Sequence, residues 1–484
     1  MANASLRRSR THQQSHTPDL SALDANGNRV FTRRAASDGR DSSMRRSFPN
    51  ESTALMRPSM RALNRAASLE ARALPEHGHV SMNDNGTFDP VKEGSDPTAA
   101  SEHGESMDEY RARGSWREDA TAIYHLMIDQ KLNVLLLLAP FALYASLGGW
   151  GDSWVFLLNF LVMIPLANLL GEATESLAFH TGETIGGLVN ATFGNAVEVV
   201  VAVFALKKGE IAVVQSSLIG SVLSNLLLVL GCSFVAGGLT QKENTFNAVG
   251  ASANSSLLIL ASFGMLLPSY IYYFSEHDTE QDRVDKTLAL SHITAIFLLF
   301  MYMQLLYFQL HTHLHLFQED NDDSEDEVDL SKRASAMVLL AATLLVALFS
   351  EFLVGSIDGF AKELNVSKSF IGIILLPIVG NAVEHVTAVK VALHDKMELA
   401  MGVAVGSATQ VSLFVVPIVV LAGWALGQPM TLAFPEFEIM VYLMSILIVY
   451  AIIADGKSNW LEGSMLLTAY ALVAVTLLWV KVPT

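Results

Sequence analysis

Gly194-Asn195-Ala196-Val197-Glu198 recurs, residue for residue, as Gly380-Asn381-Ala382-Val383-Glu384. Each copy lies inside an apolar run long enough to cross a bilayer, so each places a carboxylate and an amide in hydrocarbon. The same offset of 186 residues aligns Gly220-Ser221 with Gly406-Ser407, and Ala236-Gly237 with Ala422-Gly423. Between 186–238 and 372–424, 15 of 53 positions are identical without a gap. A shared pentapeptide alone is compatible with chance. One register held across two apolar segments points to duplication.

A hydrocarbon core asks for roughly 20 apolar residues per helix. Eleven segments qualify, near 132–151, 153–171, 184–206, 211–238, 246–275, 287–310, 334–357, 369–393, 399–426, 437–454 and 461–480. The expected fold is an all-α membrane protein of eleven transmembrane helices. Five crossings separate the third helix from the eighth, and an odd number turns the second copy over. Inverted repeats are a recurrent plan of secondary transporters, with the ion site near the midplane and often at broken helices. Gly186, Gly187 and Gly194 in one copy, and Gly372, Pro377 and Gly380 in the other, mark where the backbone is expected to open.

Composition agrees. The 484 residues are 51% hydrophobic and 16% charged, with mean hydropathy +0.37, against roughly 25% charged in a soluble domain. Residues 1–119 hold 17 Lys/Arg and 17 Asp/Glu, so the net charge of −17 sits entirely in 120–484. An acidic membrane body suits a cation and argues against nucleic acid, which needs a basic footprint. The single cysteine, Cys232, excludes an intrachain disulfide.

Residues 1–119 read as a disordered tail, Ser/Arg-rich to Val80 and acidic after it. No signal-peptide pattern follows Met1, so the tail is expected in the cytosol, although the Lys/Arg content of the short loops does not support that orientation. Arg three residues before Ser37 and Ser68 resembles a basophilic kinase site, which makes a kinase a candidate partner. The sequence leaves the oligomeric state open, a homo-oligomer included.

Asn195 and Glu198 are three residues apart, as are Asn381 and Glu384, so each pair shares a helix face. A carboxylate and an amide oxygen are hard donors. Calcium accepts six to eight oxygens in adaptable geometry, whereas magnesium demands a tight octahedron and keeps its water. Ser221, Ser407, Gln410 and freed carbonyls are candidates to complete the shell. His385 lacks the thiolate or second close histidine of a zinc site and reads as packing. Membrane-embedded carboxylates are rare, costly and usually functional. Glu172, Glu175, Glu351, Asp358, Glu436, Glu438 and Asp455 lie nearer helix ends, where a solvated carboxylate is cheap; Glu175 and Glu351 are the better candidates for an access path. Removal from water favours a protonated carboxyl and a nearby cation favours the carboxylate, so protons and a divalent cation compete for the same oxygens.

These motifs, with Gly220-Ser221-Val222-Leu223-Ser224-Asn225 and Gly406-Ser407-Ala408-Thr409-Gln410, resemble the calcium/proton exchanger (CAX) family of the cation/calcium exchanger superfamily, most of all its fungal vacuolar members. The resemblance covers roughly 120–484. It implies an extra first helix at 120–151 and two inverted five-helix repeats at 152–310 and 334–484. It implies exchange of Ca2+ for H+ at Glu198 and Glu384, lined by Asn195, Asn381, Ser221, Ser407 and Gln410, in a vacuolar membrane and without enzyme activity or cofactor. The alternative is a sodium-coupled or broader divalent (Mn2+) exchanger; against sodium coupling, Gln410 stands where many sodium-coupled relatives carry an acid. The linker at 311–333 holds His311, His313 and His315, then Glu319, Asp320, Asp322, Asp323, Glu325, Asp326, Glu327 and Asp329. As a solvated spacer it repels itself; as a regulatory run it gathers calcium at the cytosolic mouth, weakly, since it lacks the EF-hand pattern.

Overall fold

A computed structural model describes residues 116–275, 279–313 and 330–479. The tail up to 115, with both kinase-like sites, and the acidic run 319–329 lie outside the described residues. Apolar composition dictates helices here, because a lipid-facing backbone must satisfy its own hydrogen bonds. Among the described residues eight helices are long and apolar enough to cross a membrane, and up to eleven if each of three sharply bent pairs counts as one span.

The first pair is α1 (Trp116–Asp129) followed, after a 90° turn, by a 3-10 segment Lys131–Leu138 and α2 (Ala139–Leu147). The helix thus begins inside the stretch expected as tail. Asp119, almost fully buried, accepts a 2.5 Å hydrogen bond from Ser331 Oγ at the start of α10 and ties α1 to the bundle. Then come α3 (Asp152–Thr181), the bent pair α4 (Glu183–Phe193) and α5 (Ala196–Lys207), and α6 (Ile211–Leu223), which runs through a π segment Ser224–Val229 into α7 (Leu230–Thr240). Helices α8 (Ala248–Phe274) and α9 (Glu280–Tyr307) follow.

The second half follows. It comprises α10 (Lys332–Gly355), α11 (Ile357–Leu364), α12 (Lys368–Phe370), a π segment Ile371–Leu375, α13 (Leu376–Gly380) and α14 (Ala382–Leu393). Next are α15 (Met397–Gln410), a π segment Val411–Val415, α16 (Val416–Leu426), α17 (Glu436–Ile453) and α18 (Trp460–Trp479). Pro377 and Pro417 each stand just after a π segment; proline lacks the N–H that would close the ordinary turn, and the widened turn accommodates the loss. The fold is nearly rather than wholly helical: Asn244–Thr245 pairs antiparallel with Lys457–Ser458, a short clasp between the loops after α7 and α17.

The two centres of the bundle are the aligned pair. Ile211–Thr240 is 83% buried and Met397–Leu426 67%, against 28% for the outer Trp460–Trp479. Large apolar side chains such as Phe263, Phe297, Phe300, Leu340, Leu344 and Leu472 stay exposed on the outer helices, as a lipid-facing surface requires. Gly220 and Gly372 let α6 and the π segment 371–375 meet backbone to backbone, since a Cβ on Gly220 would lie 2.5 Å from Ile373 Cα and one on Gly372 2.5 Å from Ser216 Cβ.

Candidate functional site

Both copies of the pentapeptide break their helix at the asparagine. Asn195 (φ −106°, ψ 19°) separates α4 from α5, bent by 43°, and Asn381 (φ −95°, ψ 20°) separates α13 from α14. These values fall in the sparsely used bridge region, where many active-site residues sit. Restarting the helix one residue later puts Glu198 and Glu384 in first turns, where the unpaired N–H groups and the positive end of the helix dipole lie.

The halves interlock around these breaks. Gly380 has no side chain where a Cβ would stand 2.7 Å from Glu198 Oε1, so the carboxylate of one copy rests against the backbone of the other. Glu384 is within electrostatic reach of Glu198. Asn195 Nδ2 donates to Gln410 Oε1 at 2.9 Å. Ser221 Oγ donates to Asn381 Oδ1 at 3.0 Å, and Asn381 Nδ2 donates to the Ser221 carbonyl at 3.0 Å. Ser407 Oγ accepts from Asn225 Nδ2 at 2.9 Å. All seven residues expected at the ion site are therefore drawn into one crossing region.

Glu198 Oε2, Glu384 Oε2 and Asn225 Oδ1 are buried without a hydrogen-bond donor among the described residues. Buried acceptors left unsatisfied are costly, and donor-poor oxygens in a shared region suit a cation. A cavity of about 30 Å3 lies beside Glu198, lined also by Ser217, Ser221, Pro377 and Gly380, room for one small ion or water molecule. Among the described residues no three His, Cys, Asp or Glu side chains gather as a metal cluster, so the oxygen set is carboxylate, amide and hydroxyl.

The aligned glycines are packed differently. Gly220 is pressed against Ile373, whereas its aligned partner Gly406, and Gly402 one turn away, have open space where a Cβ would stand. At the end where α6 begins, Lys368 Nζ bridges Glu210 (2.7 Å) and Asp358 (2.5 Å), and Lys208 Nζ donates to the Glu351 carbonyl at the close of α10.

Of the access-path candidates, Glu175 on α3 and Glu351 on α10 are exposed. Glu172 is half-buried and accepts from Gln130 Nε2 at 3.0 Å. His385 Nδ1 donates to the Asn381 carbonyl at 2.7 Å, a bond within its own helix turn, consistent with packing. One expectation is corrected: Glu438, read as a solvated helix-end carboxylate, is fully buried, packed toward Ser216 of α6. Asn225 was not singled out as a ligand, although an asparagine in a long apolar helix is itself a signal.

The sodium/calcium exchanger protein family model matches residues 152–311 and 334–479. The vacuolar calcium ion transporter of Schizosaccharomyces pombe is 42% identical over 355 residues, 72% of this chain and 85% of its own length. The Ca(2+)/H(+) antiporter of Synechocystis is 42% identical over 71% of this chain and 95% of its own length. The structure of native YfkE is 37% identical with TM-score 0.62, covering 72% of this chain and all of that one. These relatives agree with the resemblance drawn from the motifs. The chain belongs to the sodium/calcium exchanger protein family and, as a member of it, is a transporter rather than an enzyme.

Proposed function

We propose that this chain is a secondary active antiporter that moves Ca2+ from the cytosol into an acidic compartment in exchange for H+, by alternating access. One extra span, the bent segment at 120–151, precedes two inverted five-helix repeats at 152–310 and 334–484. Glu198 and Glu384 bind Ca2+ when ionised and protons when empty. Asn195, Asn381, Ser221, Ser407 and Gln410 shape the site. The observation that carries this reading is the pair of equivalent glutamates, each with a buried oxygen lacking a donor, brought together from two duplicated breaks. Relatives named as calcium transporters and Ca(2+)/H(+) antiporters support the ion pair, and vacuolar relatives support a vacuolar membrane.

Two carboxylates brought close in a dry site repel, and either two protons or one divalent cation relieves that repulsion. If only neutralised forms reorient, competition becomes obligatory exchange. The tight Gly220 end and the open Gly402–Gly406 face are what one state of such a cycle requires. Each pH unit supplies about 1.36 kcal/mol per proton, so two or more protons drive a steep calcium gradient. The acidic run 319–329 serves as a calcium-gathering segment at the cytosolic mouth, with the tail on the same side. The deciding experiment is calcium uptake by the purified chain in sealed vesicles under an imposed proton gradient.

A further inference from the structure

Glu438 is a fully buried carboxylate outside the ion site just described. It lies in the first turn of α17, just after a loop pinned by its own backbone. Gln215 Nε2 donates to the carbonyls of Thr431 (3.1 Å) and Ala433 (3.0 Å), and Ser269 and Ser291 accept from the amides of Phe434 and Leu432. Glu438 Oε1 accepts a short 2.6 Å bond from Ser216 Oγ, while Oε2 is buried with no donor. Ser369 Oγ lies 3.5 Å from Ser216 Oγ.

No cation compensates it among the described residues. Lys368, next to Ser369, is already engaged by Glu210 and Asp358. Tyr273 on α8 is within electrostatic reach of both Glu438 and the exposed Glu436. Helix α6 and the π segment 224–229 carry no ionisable side chain. From α18 come buried Tyr470 and Glu462, which holds the Asn459 amide; Lys457 on the adjoining strand pairs with Glu243. A buried charge with no partner is strongly disfavoured, so this carboxyl calls for a positive ligand. The surroundings decide which. A calcium ion needs six to eight oxygens, and here one carboxyl has only two serine hydroxyls nearby. A proton needs one. Ser217, next to Ser216 on α6, lines the cavity beside Glu198.

We propose that Glu438 binds and releases one of the protons exchanged in each cycle, a carboxyl additional to Glu198 and Glu384. This rests on the antiporter reading above. The carboxylate takes H+ from solvent at one stage and returns it at another, and only its O–H bond forms and breaks. Counted from the start of each helix, its counterpart on α8 is Gly250, and the first turn of α8 carries no acid, so this function belongs to one repeat alone.

Glu438→Gln keeps an acceptor for Ser216 and loses the proton. In sealed vesicles holding the full chain, the calcium accumulation ratio at a one-unit pH gradient should fall about tenfold, because each coupled proton contributes that factor per pH unit. An unchanged ratio overturns the proposal. Infrared titration of the purified full chain gives the second arm: one protonated-carboxyl band that changes with pH in the wild type should be missing in E438Q. If the variant carries no flux, this arm decides alone, and a retained band overturns the proposal. If the wild type shows no proton-driven calcium uptake but the band is still lost, the antiporter reading falls and the proton site at Glu438 stands.

Discussion

Asn381 and Ser221 are bonded in both directions, hydroxyl to amide oxygen and amide nitrogen to backbone carbonyl, each at 3.0 Å. This double bond clamps the helix break of the second half to the central helix of the first. A clamp of that kind fixes where Glu384 emerges, three residues on. Ser221→Ala removes one neutral hydrogen bond, a loss of about 1 kcal/mol, so half-saturation by calcium should rise roughly fivefold with the protein still folded. Initial uptake rates against calcium concentration check it.

Glu198→Gln and Glu384→Gln should each abolish exchange while leaving insertion and monodispersity intact. Glutamine keeps the shape and loses both the charge that holds calcium and the group that carries the proton. Proton-driven uptake by vesicles, normalised to inserted protein, is the measurement; near-normal uptake by either variant would sink the shared-ligand mechanism.

Protons and calcium competing for the same oxygens fix the sign of the pH dependence. Lowering pH on the calcium-loading face protonates the carboxyls and should raise the calcium half-saturation, by up to about tenfold per pH unit for each competing proton. Raising pH should restore it. A half-saturation indifferent to pH where coupling persists contradicts the account.

The aligned glycines predict opposite consequences. A Cβ on Gly220 would meet backbone of Ile373, so Gly220→Ala should overpack the closed end, costing about 1–3 kcal/mol and lowering the melting temperature. Gly406 has open space, so Gly406→Ala should leave melting almost unchanged, yet slow transport severalfold if that face must close during the cycle. Thermal melting and uptake of the two variants, side by side, test this.

The sequence makes the acidic run a salt-dependent element. Replacing the eight acids of 319–329 by Asn/Gln should raise the calcium needed for half-maximal uptake at low salt and have little effect at physiological ionic strength, where the Debye length is about 8 Å. Identical low-salt curves leave only a spacer.

Much of the site was legible because duplication marks it. A pentapeptide repeated in one register names Asn195, Glu198, Asn381 and Glu384 without any structure, and the helix breaks fall where glycine and proline cluster. Helix bending was less legible: 120–151 reads as one extra helix, whereas the chain turns by 90° just before Lys131. Tertiary cover was not legible at all. Glu438 looks like an ordinary helix-end acid until α6 is seen to bring Ser216 against it, far away in sequence. Periodicity reports a residue's own helix, and burial of this kind is decided by a different segment.

The most direct test of the central claim is calcium flux into sealed vesicles containing only the purified chain, with proton and sodium gradients imposed in turn. The account predicts uptake that saturates with calcium, runs against its gradient when protons are more concentrated inside, stops when that proton gradient is collapsed, and ignores sodium. Uptake driven by sodium, or flux that persists without any counter-gradient and never saturates, would contradict it.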